Sequence, residues 1–286
     1  MTRQTSFRPR LEAQPEIDEL LARAQAIRAD TVRMAHRGRT AHVASALSCV
    51  DILVALYFRA LEIQPPGPTG PQDDRFILSK GHGCMSWYAT LAARGYFPRS
   101  LLETYAKDGS TLAEHPSPRG VPGVDVATGS LGHGLSIGAG TALARHLDRR
   151  AGRVFVLLSD GECNEGSVWE AAMFAAGQKL DNLVAIIDYN KLQAMGRSNE
   201  ITALAPLAEK WRAFGWSTRE VDGHDMPALV EAFDSVPFAR GRPSALVAHT
   251  VKGKGVSFME DDLDWHYRPP DEEQLRRALA ELEGDG

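Results

Sequence analysis

The stretch LLSDGECNEGSVWEAAMFAAGQKLDNLVAIIDYNKLQAMG, Leu157 to Gly196, sets one acid, Asp160, after an apolar run and one amide, Asn190, after the next. A carboxylate oxygen and an amide oxygen are hard donors, suited to Mg²⁺ or Ca²⁺ and poorly suited to zinc. Two side chains cannot complete an octahedron, so Mg²⁺ held here must recruit backbone carbonyls, water or phosphate oxygens. Gly161 and Gly166 let the main chain approach an anion closely, and the helix that follows offers its N-terminus to one. The chemistry available is the anchoring of a metal and a diphosphate. A surface loop whose aspartate caps a helix would carry the same pattern. Pattern alone leaves both readings open.

For the anchor to work, the chain must bring the acid and the amide together. Val154–Ser159, a helix over Val168–Lys179 and Leu183–Asp188 read as one βαβ unit, with both strands ending on the same sheet edge. Neighbouring strands lie about 4.8 Å apart. Asp160 and Asn190 would then converge beyond the carboxyl ends, where open α/β sheets take ligands. Further strands are expected at Phe76–Ser79, Thr218–Val221 and Ala245–His249. Several runs are continuous rather than alternating, as befits strands covered on both faces. Helical stretches fall near residues 16–36, 48–61, 83–95, 134–149, 167–179, 206–214 and 226–236. A last helix opens at Pro270-Asp271-Glu272-Glu273, whose acids suit a helix N-terminus. Irregular segments concentrate at 64–74, 108–133, 190–204 and 252–270. The alternation predicts an α/β domain, a parallel doubly wound sheet sandwiched by helices.

Composition is that of an ordinary globular protein, 286 residues with 43% hydrophobic and 24% charged. A net charge of −5 gives no electrostatic case for nucleic acid or an anionic membrane. No apolar run approaches the roughly 20 residues of a membrane span. The N-terminal residues carry arginines but no apolar core, so residues 1–15 are expected to be a flexible arm, not a signal peptide, with the domain over 16–286. Three cysteines, Cys49, Cys84 and Cys163, form neither a disulfide framework nor a CxxC pair, which makes the cytoplasm the expected location.

The Asp160–Asn190 stretch resembles the thiamine diphosphate motif, and the order DGECNEGSVWEA resembles the transketolase family in particular. The similarity continues through RFILSKGHG, EHPSPRGVPGVDVATGSLGHG and HTVKGKGVSFMEDDLDWH, and covers nearly the whole chain from about residue 16. It implies the thiamin diphosphate-binding fold of the PP (diphosphate-binding) type. It also implies that Asp160, Asn190 and the Leu192 carbonyl hold Mg²⁺, with Ca²⁺ or Mn²⁺ as substitutes. By the same resemblance the Gly161 amide contacts the diphosphate, and Gly129 and Leu131 offer main-chain contacts to the aminopyrimidine. Glu165 and Glu170 match acids lying between paired active sites. Glu165 would also suit a first-turn acid that merely stabilises its helix.

Of nine histidines, His42, His82, His115, His133 and His266 fall within the family-like blocks. Neutral imidazole donates at one nitrogen and accepts at the other, and it can move a proton near neutrality. The resemblance places His82 and His266 near the diphosphate, and His42, His115 and His266 around the reacting end of a sugar. His133 stands where glutamine is common and reads as lining; His36, His146, His224 and His249 read as structural. Other departures are Ala44 and Ser159 for glycine, and Tyr267 after the last histidine where glycine is common. An Ala44 methyl is expected to narrow the substrate channel.

The glutamate that activates the cofactor in the family lies in a second, pyrimidine-binding domain following this one. The resemblance therefore implies the N-terminal subunit of a split transketolase, joined in an α2β2 assembly to a C-terminal subunit. Such an enzyme transfers a two-carbon ketol unit between sugars or sugar phosphates. Alternatives are a subunit of an E1 dehydrogenase or a deoxyxylulose-phosphate synthase, or a non-catalytic scaffold. The histidines and HTVKGKG speak against a dehydrogenase, and intact metal ligands speak against a scaffold.

Overall fold

The computed structural model describes residues 14–67, 70 and 72–284. The arm expected over 1–15 lies outside them, except Gln14 and Pro15, which already belong to the first helix. Five strands, β1 (Arg75–Leu78), β2 (Val154–Ser159), β3 (Leu183–Tyr189), β4 (Ser217–Asp222) and β5 (Ser244–His249), form one sheet in the order β1-β2-β3-β5-β4. Every neighbouring pair is parallel. Each expected strand is present to within about one residue at either end.

The reason the strands read as continuous is visible in their packing. Alternate side chains of β2 and β3 feed two separate cores. Phe155, Leu157, Val184 and Ile186 join one, with helices α1 (Gln14–Gly38), α3 (Val50–Ala55), α4 (Cys84–Ala93), α9 (Met226–Asp234) and α10 (Glu272–Glu283). Val154, Val156, Leu158, Leu183, Ala185 and Ile187 join the other, with α5 (His133–Leu147), α6 (Gly166–Gly177) and α8 (Leu207–Ala213). The result is a sheet sandwiched between two helical layers, as the pattern predicts. β4 lies at the edge, and its residues are partly or fully exposed.

Helix boundaries follow local chemistry. Asp225 caps α9 through the Ala228 N–H, with Pro227 in the first turn. Asp271 and Gln274 form a capping box on α10, and Gly284 in the left-handed region ends it. The helix expected at 48–61 differs. It begins earlier as α2 (Val43–Leu47), breaks at Ser48–Cys49, resumes as α3 and widens into a π-turn over Leu56–Ala60. Val43–Ala60 is apolar enough over 18 residues, at mean hydropathy 1.7, to match a membrane span, contrary to the expectation from sequence; 83% of it is buried in the core. Segment 190–204, expected to be irregular, contains a short helix α7 (Ser198–Ile201).

Candidate active site

Ser159 of β2 pairs with Asp188 of β3, so the strands are neighbours and end together. Asp160 and Asn190 follow at that edge, exposed by 1% and 4%. The Asp160 carboxylate bridges the two strand ends. It accepts the Gly161 N–H at 2.8 Å, the Lys191 N–H at 2.8 Å and the Ser198 hydroxyl at 2.7 Å. The bland reading is thus part of the truth, since Asp160 also caps the 3₁₀ turn Gly161–Asn164. All its partners are neutral. Burial pushes its acid up to about 6, with the charge of Asp188 adding to the shift against those hydrogen bonds. The Gly161 N–H, expected to face a diphosphate, is turned to Asp160 in this structure.

Asn190 Oδ1 accepts the Leu192 N–H at 3.1 Å, and its amide donates to the Ser48 hydroxyl at 3.3 Å. The Leu192 carbonyl accepts from the Lys252 ammonium at 3.2 Å. Leu192 also bridges Arg197, which folds 191–198 into a tight loop with Met195 at its exposed tip.

Sequence reasoning missed the charges beneath this edge. Lys80 and Asp188 form a fully buried ion pair. Lys80 also donates to the Ser45 carbonyl at 2.7 Å, while Asp188 accepts from Ser48 at 2.6 Å and from Thr250. Burial opposes both charges, yet Asp188 is held below the usual carboxylate range by Lys80, and Lys80 is raised by Asp188. Lys252 lacks such a partner. Burial and the charge of Lys80 bring its ammonium down to about 8. Lys80 and Lys252 both lie inside the family-like blocks SKGHG and HTVKGKG, the one signal that pointed to them.

Three of the predicted histidines form a cluster. The His42 ring lies 5.4 Å from His82 and 5.1 Å from His266, centroid to centroid, and His115 stands 6.2 Å away on the outside. His42 adopts the left-handed conformation (φ 72°) just before α2, and its N–H donates to the His266 carbonyl at 2.8 Å. Burial takes His42 down to about 4, with the His115 charge helping, and His266 to about 3, with Lys252 helping. His82 is also lowered by burial. These rings are neutral at pH 7. Lys252 donates to His266 Nδ1 at 2.6 Å, which leaves the proton on Nε2. His115 is exposed beside a cleft of about 450 Å³ shared with Lys107, Leu112 and Glu114.

Close loop contacts require two of the glycines. A Cβ on Gly129 (φ 140°) would lie 2.7 Å from His115, and one on Gly81 2.8 Å from the Gly129 nitrogen. Leu131 is partly buried, and His133, exposed, turns Nδ1 back to the Ser130 carbonyl at 3.2 Å. Glu170 lies exposed on α6, and Glu165, also exposed, is the N-cap residue of that helix but its side chain makes no capping bond. A missed acid is Glu162, fully buried, which accepts from Ser79 and from the Gly132 N–H at 2.8 Å. Ser159 uses its hydroxyl to accept the Glu162 N–H at 3.2 Å, a bond that glycine could not supply. The Ala44 expectation fails: its methyl is wholly buried in α2 and faces the core, where it cannot narrow a channel.

The edge suits a hard cation and a diphosphate. Among the described residues no Lys, Arg or His forms an ion pair with the Asp160 carboxylate; its charge reaches the Lys80 and Lys252 ammoniums only at longer range. The Gln193 Nε2 is buried without an acceptor, and the Gln193 side chain lies against Gly161. Among the described residues no group of three or more His, Cys, Asp or Glu could hold a metal, so any ion here rests on a single carboxylate plus amide and carbonyl oxygens.

A parallel sheet with a buried acid and amide at adjacent strand ends and a neutral histidine cluster beside them is an α/β domain with a polar site at its carboxyl edge. The family described as transketolase, thiamine diphosphate binding domain, matches residues 19–283, and the chain belongs to it. It is 44% identical over 268 residues to a 6-deoxy-6-sulfo-D-fructose transketolase subunit of a Clostridium species, covering 94% of this chain and 98% of that one. It is 40% identical over 267 residues to an apulose-4-phosphate transketolase subunit of Phocaeicola vulgatus, covering 93% and 95%. Transketolase from Leishmania mexicana superposes with a TM-score of 0.83 at 26% identity. There the match covers 93% of this chain but 41% of the other, so this chain spans less than half of that protein.

Proposed function

We propose that this chain is the diphosphate-binding subunit of a two-subunit, thiamine diphosphate- and Mg²⁺-dependent transketolase of the cytoplasm. The observation that carries the reading is the convergence of Asp160, Asn190 and the Leu192 carbonyl at one sheet edge, beside His42, His82 and His266. Asp160, Asn190 and the Leu192 carbonyl would hold Mg²⁺ against the diphosphate. When bound, the cofactor supplies a nucleophilic carbon and an electron sink for cleavage beside a carbonyl. The protein's own part is to position and to move protons. Neutral His42 can donate to one sugar oxygen and accept from another, with the His115 ring 6.2 Å away toward the same substrate. His266, held by Lys252 at Nδ1, presents Nε2–H as a donor to developing negative charge. Lys252 and Lys80 place positive charge beneath an anionic group.

The two-subunit reading draws on relatives whose names say subunit and whose length this chain matches. Those names refer to a sulfo-sugar and a sugar phosphate, so the proposed donor is a ketose with an anionic far end. An α2β2 assembly fits the exposed apolar side chains Ile137 of α5 and Met173 and Phe174 of α6, the helix that also carries Glu170 and follows Glu165. The test is to assay ketol transfer with thiamine diphosphate and Mg²⁺ for this chain alone, its companion alone and both. Transfer is expected only from the mixture. Equal rates from this chain alone would overturn the two-subunit reading.

A further inference from the structure

One buried charge cluster takes no part in the chemistry above. Asp51 of α3, 3% exposed, accepts from Arg28 of α1 at 3.1 Å on Oδ1 and 2.5 Å on Oδ2. His224, in the turn before α9, has Nδ1 2.7 Å from the same Oδ2. Its Nε2 accepts the Val251 N–H at 2.9 Å, so the ring proton sits on Nδ1 and is donated to Asp51. Arg28 Nε in turn donates to the Lys254 carbonyl at 3.1 Å. Burial opposes the Asp51 charge, but His224 and Arg28 outweigh it and hold the carboxyl below its usual range.

A single carboxylate therefore grips both ends of the turn that carries Lys252. Between those ends the Gly253 N–H donates to the Ala44 carbonyl at 2.9 Å. Gly253 has φ 81°, and a Cβ there would lie 2.1 Å from the Met259 carbonyl oxygen, so the turn admits little adjustment. Out of this turn Lys252 reaches the Leu192 carbonyl and His266 Nδ1. A carbonyl has two lone pairs, so Leu192 can serve the ammonium and a metal together.

We propose that Asp51 is the hub of a positioning device, in which His224 and Arg28 fix the Val251–Lys254 turn and so deliver the Lys252 ammonium to Leu192 and His266. His224, which reads as structural in the sequence and touches no ligand, becomes a positioning residue. The inference deepens the proposed function and rests on it only in taking the Leu192 edge as the diphosphate site. Partners one step behind a metal ligand typically change affinity 10–100-fold when lost.

Two variants separate positioning from bulk packing. Gln at 224 can still accept the Val251 N–H through its amide oxygen, whereas Leu cannot. Both would be measured in complex with the companion chain, by amide hydrogen exchange over residues 250–255 and by calorimetric titration with thiamine diphosphate and Mg²⁺. His224→Leu is expected to speed exchange in that turn and weaken cofactor binding about 10-fold, the low end of what a group directly behind a metal ligand costs, and His224→Gln to restore most of both. Should His224→Leu not fold, Arg28→Lys, which loses the Nε donor to Lys254 but keeps the charge beside Asp51, should loosen the same turn. Wild-type exchange and affinity in His224→Leu would overturn the device. So would equal damage from Leu and Gln. If the wild-type complex binds no thiamine diphosphate, the proposed function fails, while the exchange data still decide whether the clamp exists.

Discussion

Asp160 and Asp188 stand at the ends of neighbouring strands, both buried, yet they are treated in opposite ways. Asp188 has a lysine, a serine and a threonine on its oxygens and is held ionised. Asp160 has only neutral donors, and burial drives its acid upward. A buried charge left without a counter-ion is costly, whereas a well hydrogen-bonded pair can hold its place. Asp188 is accordingly a brace that ties β3 to Lys80 and to the α2–α3 break. Asp160, with no ion-pair partner, is the one the proposed function gives to a cation.

Breaking the brace should have the largest effect on stability. Lys80→Met leaves Asp188 buried and unpaired, for an expected loss of about 3–5 kcal/mol in urea unfolding. A loss under about 1 kcal/mol would deny it the role of brace. Asp160→Asn should do the reverse. In metal-free protein it removes a buried charge that no ion pair holds, so stability should hold or rise by about 1 kcal/mol. A loss like that of Lys80→Met would make the two aspartates equivalent.

The histidines sharpen the contrast through pH. His42, lowered from 6.5 to about 4, binds protons more weakly in the folded state than in the unfolded chain, and His82 is lowered as well. Their contribution to stability is therefore complete above pH 6.5 and is lost as pH falls through the window down to about 4. His42→Asn should flatten that loss by roughly 2 kcal/mol, discounted for the ring's partial exposure. Chemical melts at pH 7, 5.5 and 4 measure it, and an unchanged slope would remove the ring from the buried charge balance.

The smallest expected change in stability is at Tyr267. Its ring is 63% exposed and lies 4.7 Å from His266 and 5.8 Å from His42. Tyr267→Gly should shift stability by less than about 0.5 kcal/mol. The expected readout is a several-fold change in the ratio of kcat/KM between short and long ketose donors. A constant ratio would place the ring outside the substrate path.

Much of this contrast was legible in the sequence on one side only. Asp160 and Asn190 follow apolar runs whose lengths mark strands, and a βαβ unit fixes where such ends meet. Lys80 was not legible as the partner of Asp188, because 108 residues separate them and a lysine before a glycine reads as a loop. The same distance problem hid Asp51 and His224, 173 residues apart. The helix over 48–61 was misplaced because His42 in the left-handed region starts α2 early, and apolar periodicity does not register one residue's φ. Ala44 misled for a related reason, since its place on a short helix turns the methyl inward.

Calorimetric titration of the reconstituted complex with thiamine diphosphate, with and without Mg²⁺, tests the central claim most directly. The wild type should bind only with Mg²⁺, and Asp160→Asn, still folded, should lose at least about 100-fold in affinity, the upper end of what even a residue behind the ligands can cost. Equal affinity and equal Mg²⁺ dependence in the two proteins would contradict the assignment of Asp160 to the metal.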